Sequence, residues 1–298
     1  MRDVALVARF EVLRAIRTWR ALALLVVYAI AAGGATWMFT RAIGELENAL
    51  AVQLGVGTTQ VPGTMLAELV ESEYWLRALT VLTGDPAIAR EWVSVPPLAV
   101  FGLWFGFLVV PFFAASAAAE CVAIDVQSRA IRWEAQRTGR LELILGRFAG
   151  QLALTTIATS LAMAVVWAVG MLGMVGNEPV SLAAWLASFL PRVWAFGVPF
   201  AALGAGVSQL TTSPAWARVL ALGGTAGSWV AYGVGVSYGL GRSAYAVVAD
   251  VYLPLLPQAW LRGLWEPGPG WWVSAVACGS LGAAALVVGF VRFSQRDL

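Results

Sequence analysis

Six long runs of this chain pass without a charged residue. They are Ala21–Thr40, Trp92–Ala119, Phe148–Asn177, Val193–Ala217, Val219–Gly241 and Pro267–Val291, and they hold between 20 and 30 residues each. A helix rising 1.5 Å per residue needs about 20 apolar residues to cross a hydrocarbon core about 30 Å thick. Every run is long enough, and the longer ones have room to tilt. Only helices and closed barrels satisfy their backbone groups in lipid, and barrel strands are shorter and alternate in polarity. These runs do not alternate. The pattern predicts an all-α, polytopic integral membrane protein with six transmembrane helices.

The segments between the runs differ in character. In residues 1–20, Leu6, Phe10, Leu13 and Arg17 share one helical stripe, and Arg2, Arg9 and Arg20 share its neighbour. This predicts an N-terminal helix lying along the inner interface, with a simple extension of the first span as the alternative. Residues 42–91 carry Glu45, Glu47, Glu68, Glu71, Glu73, Asp85 and Glu91, with Gly55, Gly57, Pro62 and Gly63 interrupting them and Gly84-Asp85-Pro86 marking a turn. Short helices within Met65–Leu82 are expected. The segment reads as an acidic external cap or as a vestibule for cations. In residues 120–147, Asp125, Arg129, Arg132 and Gln136 recur at helical spacing before Thr138-Gly139 breaks the pattern. Residues 242–266 are half apolar and broken by Pro254 and Pro257. They are too apolar for a free loop and too broken to span, so a half-inserted external segment is expected.

Charge sets the orientation. With a cytoplasmic start, 13 arginines fall inside and 5 outside, while 7 acids fall inside and 10 outside. The basic excess places both termini in the cytoplasm. Arg192 lies within or beside the fourth span. It is expected to snorkel to the outer headgroups or, alternatively, to contact a substrate. Asp250 is a possible partner of Arg242 or Arg262. Trp19, Trp92, Trp271 and Trp272 fall near span ends, where an aromatic belt is expected. Cys121 and Cys278 lie in or beside spans, where an extracellular disulfide is not expected.

Only 12% of residues are charged, about half the usual share of a soluble domain. The chain has no histidine, and all 19 of its basic residues are arginine. A phosphate loop needs a lysine, so an ATPase of that kind is excluded, as are histidine-dependent proteases, zinc sites and histidine-ligated haem. The runs carry no paired carboxylates for an aspartyl protease. The chain itself reads as no enzyme, with no catalytic and no metal-binding residues. All-arginine usage fits a GC-rich bacterial genome.

Two stretches carry a family resemblance. After the second run come Asp125-Val126-Gln127-Ser128-Arg129-Ala130-Ile131, then Arg137-Thr138-Gly139-Arg140 at a turn, then Leu145-Gly146-Arg147 opening the third run. Between the fourth and fifth spans stand Gly206-Val207-Ser208-Gln209-Leu210 and Thr211-Thr212-Ser213-Pro214-Ala215-Trp216-Ala217. This order resembles the permease subunits of type-2 ABC exporters. The likeness covers nearly the whole chain in layout and about 40 residues in motif. It departs at Gln127, where a glutamate is common, and at Ala130, where a glycine is common. The external segment 42–91 is also longer than in the simplest members.

The resemblance implies a single transmembrane permease domain over residues 1–298, forming a substrate path as a dimer in a bacterial cytoplasmic membrane. It implies no cofactor on this chain, with ATP and Mg in partner ATPase subunits that dock on residues 120–147. The implied interface residues are Asp125, Gln127, Arg129, Arg132, Glu134, Arg137 and Arg140. The pairs Gly102/Gly106, Gly223/Gly227 and Gly235/Gly239 allow close helix approach, either within one protomer or along the path between two copies. A membrane scaffold or sensor without an ATPase is the alternative class. A secondary transporter comes third, because the runs offer no Asp or Glu to couple protons.

Overall fold

A computed structural model describes residues 2–57, 61–239 and 246–295. Among these residues the chain is built of helices, and six of them are long and apolar enough to cross a membrane. In chain order the helices are α1 (Arg2–Arg17), α2 (Arg20–Leu54), α3 (Leu66–Glu71), α4 (Glu73–Thr83), α5 (Pro86–Glu91), α6 (Pro97–Ala118), α7 (Ala123–Gln127), α8 (Ile131–Thr138), α9 (Arg140–Gly173), α10 (Pro179–Leu210), α11 (Pro214–Gly239), α12 (Ala246–Tyr252), α13 (Leu261–Trp265) and α14 (Trp271–Ser294). The spans are α2, α6, α9, α10, α11 and α14.

Helix α6 has no polar face, and a helix apolar all round belongs in the middle of a bundle. It is the most buried span and contacts α2, α9, α10 and α11. Small residues set its closest approaches. A Cβ added at Gly102 would lie 2.6 Å from Leu186 Cδ2, and one at Gly106 would lie 2.7 Å from Val193 Cγ2. The first glycine pair therefore serves contact within the chain, against α10. Gly223 and Gly227 are different, because an added Cβ there would meet nothing within 4 Å. Gly235 packs under Tyr252 and Leu253. Gly239 ends α11.

Two spans depart most from the charge-free runs. Helix α2 continues from the expected Ala21–Thr40 to Leu54, carrying Arg41, Glu45 and Glu47 beyond the run. The fourth span is not Val193–Ala217 but Pro179–Leu210. A single arginine interrupts the charge-free pattern there, although Pro179–Pro191 is as free of charge as Val193–Leu210. Arg192 thus lies near the middle of α10.

Helix α1 is separate from α2, because Trp19 takes a left-handed φ of 60° at the joint. Its apolar stripe of Leu6, Phe10 and Leu13 is exposed, while its opposite side lies on α9. The seat is a pair of glycines. A Cβ at Gly146 would fall 2.5 Å from Val7 Cβ, and one at Gly150 would fall 2.8 Å from Glu11 Cβ. Replacing Gly150 with leucine is expected to lift α1 from α9 and expose the hinge at Trp19 to proteolysis. Limited digestion in detergent reads the effect, and an unchanged cleavage rate would contradict the seat.

At the end of the bundle remote from α1, α3–α5 form a cap. Leu69, Trp75 and Leu79 are buried beneath it. Two acids of the segment 42–91 are used structurally. Glu47 is fully buried and accepts the backbone N–H groups of Gly63 (2.8 Å) and Met65 (3.2 Å). Asp85 caps α5 by accepting Ala87 N–H at 2.8 Å, and it pairs with Arg262. Asp250 is exposed, and Arg262 is engaged by Asp85 instead; Arg242 lies outside the described residues.

The segment before α14 runs α12, two 3₁₀ turns (Leu253–Leu255 and Pro257–Trp260) and α13. Tyr252 Oη donates to Ala231 O at 3.0 Å, and Gln258 Nε2 donates to Ser228 Oγ at 2.7 Å. Ser228 is halfway along α11, so the segment reaches to mid-span depth. Its broken backbone lies on protein while Val247, Val248, Val251 and Leu255 are exposed, the pattern required of irregular backbone inside a bilayer.

Arg192 turns inward and does not snorkel. Its side chain is 8% exposed, and Nη1 and Nη2 donate long hydrogen bonds to Leu264 O (3.5 Å) and Pro267 O (3.4 Å). Its guanidinium carbon lies 5.7 Å from the ring centroids of Trp92 and Trp271 and 5.8 Å from that of Phe189. Cation–π attraction and two carbonyls replace the water that headgroups would have supplied. Trp92 is likewise no belt residue. It is fully buried, donates Nε1–H to Trp265 O at 2.8 Å and meets Trp265 edge-on. Trp19 and Trp272 are exposed. Cys121 and Cys278 are free and buried.

Candidate functional site

The exposed polar surface that the sequence pointed to lies between α6 and α9, on the same end of the bundle as α1. It is a hairpin of two short helices, not one continuous helix. Arg129 takes φ 61°, a left-handed conformation that costs a non-glycine residue roughly 1–2 kcal/mol. This break separates α7 from α8 and dissolves the stripe predicted through Asp125, Arg129, Arg132 and Gln136. Substituting Arg129 with glycine is expected to relieve part of that cost and raise the thermal midpoint of the detergent-solubilised chain. A lowered midpoint would show that the arginine side chain secures the turn.

Asp125 is buried beneath the hairpin. Its carboxylate accepts Arg14 of α1 at 2.8 Å and Arg147 of α9 at 2.5 Å. Arg147 is 2% exposed, also pairs with Glu134 of α8, and donates to Cys121 O. One guanidinium thus ties together the end of α6, both helices of the hairpin and α9. This fork geometry is what arginine supplies and lysine does not. Helix α7 begins without a side-chain cap of its own. The cap comes from α10, where Ser208 Oγ accepts the N–H groups of Val122 and Ala123, each at 2.9 Å. The two stretches that carried the resemblance therefore meet here, Ser208 in the second holding the start of the first.

With its underside locked, the hairpin presents Gln127, Arg129, Arg132, Gln136 and Arg137 to solvent, together with Trp133 at 70% exposure. Arg140 is half-buried and donates to Ser294 O. Of the residues expected to face a partner, Asp125 must be withdrawn. Its two arginines turn it into the bundle, so it positions the hairpin from below. Glu134 is half-buried and committed to Arg147. Trp133 was missed because it fell between the charges being counted. An aromatic within a run of arginines, unpaired with any apolar stripe, was the available signal.

Beside the hairpin lies a cavity of about 730 Å³ bounded by α1, α2, α6, α9 and α11. Phe10, Leu24, Leu25, Phe113, Ala117 and Leu154 form its apolar part. Glu11, Arg14, Glu120, Asp125, Glu134, Gln151 and Arg218 form its polar end, where Arg218 pairs with Glu120 at 2.7 Å. Glu11 is 5% exposed and accepts Gln151 Nε2–H at 2.9 Å. Burial pushes its carboxyl above the ordinary range, although Arg147 and Arg14 pull it down. No group of three or more acids, cysteines or histidines suited to a metal occurs among the described residues.

Six apolar spans, a broken segment at mid-span depth and a basic hairpin anchored across three spans define a multi-pass membrane protein. Within that class, the chain belongs to the ABC-2 family transporter proteins, whose family pattern it matches over residues 5–298. It is a permease of an ABC transporter, the membrane component and not the ATPase, and such permeases generally pair with ATPase subunits. A search of curated proteins found no match to the chain.

Proposed function

We propose that this chain is the permease half of an ATP-driven exporter in a bacterial cytoplasmic membrane. Two copies form the substrate path, and separate ATPase subunits holding ATP and Mg drive it from the basic, cytoplasmic side. The observation that carries this reading is the hairpin. Its outer face offers Arg129, Arg132, Trp133 and Arg137, while its underside is fixed to α1, α9 and α10 by Arg147, Asp125 and Ser208. A short element gripped by several spans passes a push to all of them, whereas a free loop would absorb it.

Helix α11 supports the dimer. Trp216, Leu220, Val230 and Val234 are exposed on it, and Gly223 and Gly227 leave room for another helix to come close. Gln127 and Arg140 flank the docking face.

Reversing charge at Arg132 and Arg137 together is expected to lower ATP-coupled transport at least tenfold while the protein stays folded. Unchanged transport in that double variant would overturn the coupling role. Trp133→Ala is expected to weaken ATPase association by roughly 30-fold, about 2 kcal/mol, as for a central aromatic anchor. Titrating labelled ATPase subunit against the reconstituted permease measures it.

A further inference from the structure

We infer that the cavity beside α1 binds an amphiphile bearing a protonated amine, with Glu11 and Gln151 receiving the ammonium and the apolar wall holding its chain. This rests on the permease reading and names the substrate or lipid class for its membrane path.

One buried acceptor in this cavity lacks a donor, and one buried carboxyl lacks an ion pair. Around the polar end, Arg14 and Arg147 engage Asp125, Arg147 also engages Glu134, and Arg218 engages Glu120. Among the described residues, no arginine forms an ion pair with Glu11, whose hydrogen bond comes from the neutral amide of Gln151. That bond also fixes the amide. Its nitrogen must point at the carboxylate, so its oxygen points away, and Gln151 Oε1 is buried without a partner. Gln151 is only 3% exposed. A buried carbonyl oxygen left unpaired is costly, and a buried carboxylate without an ion pair is more so. Both groups line one cavity, where an ammonium supplies N–H groups to the amide oxygen and a positive charge to the carboxylate.

The rest of the cavity matches such a ligand. Its volume is that of a small-molecule site, and its apolar lining includes Leu24, Leu25, Phe113, Ala117 and Leu154. An anion would meet four carboxylates. A neutral alcohol would leave Glu11 without an ion pair. Two sources offer this chemistry, an aminated lipid headgroup such as phosphatidylethanolamine and a cationic amphiphile dissolved in the bilayer.

The test uses the full chain in nanodiscs of phosphatidylcholine, with dodecylammonium as the probe and binding read by calorimetry. Saturable binding of one probe per chain is expected. Neither dodecanol nor dodecanoate should displace it, and Glu11→Gln should weaken it at least tenfold. Ala117→Phe, which narrows the apolar wall and leaves the charges alone, should weaken it too. Displacement by dodecanol, or unchanged affinity in both variants, would overturn the assignment. If phosphatidylethanolamine in the nanodisc competes, the occupant is a lipid headgroup; if it does not, the occupant is a dissolved amphiphile. The same variants are checked for capture of the ATPase subunit. Lost ATPase capture by the unaltered chain would count against the permease reading alone, because the binding measurement requires no ATP.

Discussion

Replacing Arg147 with alanine is expected to destabilise the protein by about 3–5 kcal/mol, the usual result of removing one partner from a buried charge pair. The side chain is almost fully buried and serves Asp125, Glu134 and the carbonyl of Cys121 together. Its loss leaves Asp125 with Arg14 alone, Glu134 without its partner, and a carbonyl oxygen unpaired at the turn after α6. The hairpin would lose its attachment to α9 while keeping the Ser208 cap. Thermal unfolding in detergent measures the loss, and a stability within about 1 kcal/mol of the parent would contradict the network. Arg147→Lys should recover only part of it, since an ammonium cannot present a planar fork to three acceptors.

Gly204→Leu is expected to have an effect of similar size by a different route. A Cβ there would stand 2.4 Å from Ala115 O, a backbone atom that no rotamer change can move. Helices α6 and α10 would have to part towards the hairpin end of the bundle, and the Phe107–Phe196 contact between them would loosen. Overpacking of a tight core costs about 1–3 kcal/mol when side chains yield, and more when backbone must shift. The informative control is Gly223→Leu on α11, where nothing lies within 4 Å. That variant should fold as a single chain and fail to assemble as a dimer. Size-exclusion with light scattering separates the two outcomes. A folded, dimeric Gly223→Leu protein would contradict the assignment of α11 to the dimer contact.

The spans were legible because lipid demands long apolar helices and tolerates few exceptions. The exceptions were what charge counting misread. Arg192 ended a run that the helix ignores, because Trp92, Phe189, Trp271 and two carbonyls provide for its charge locally. That arrangement draws on residues far away in the chain, which no local pattern reveals. The stripe through Asp125 failed for a backbone reason. Helical spacing assumes continuous right-handed geometry, and Arg129 breaks it with a residue that rarely takes a positive φ. Of the ordered motifs, Ser208 acquired its meaning only when the fold carried it to the start of α7. The seat of α1 was present in the sequence as Gly146 and Gly150, four apart, and a search for small residues at that spacing would have found it.

An ATPase docked on the α7–α8 hairpin is what drives this permease in the proposed mechanism. The most direct measurement is to purify the chain in mild detergent from its native membranes, identify what remains bound, and assay ATP hydrolysis in the same sample. A stoichiometric ATPase subunit with vanadate-sensitive turnover, lost in the Trp133→Ala variant, is the predicted result. A stable complex with no nucleotide-binding subunit would contradict it and leave a membrane scaffold or secondary transporter in its place.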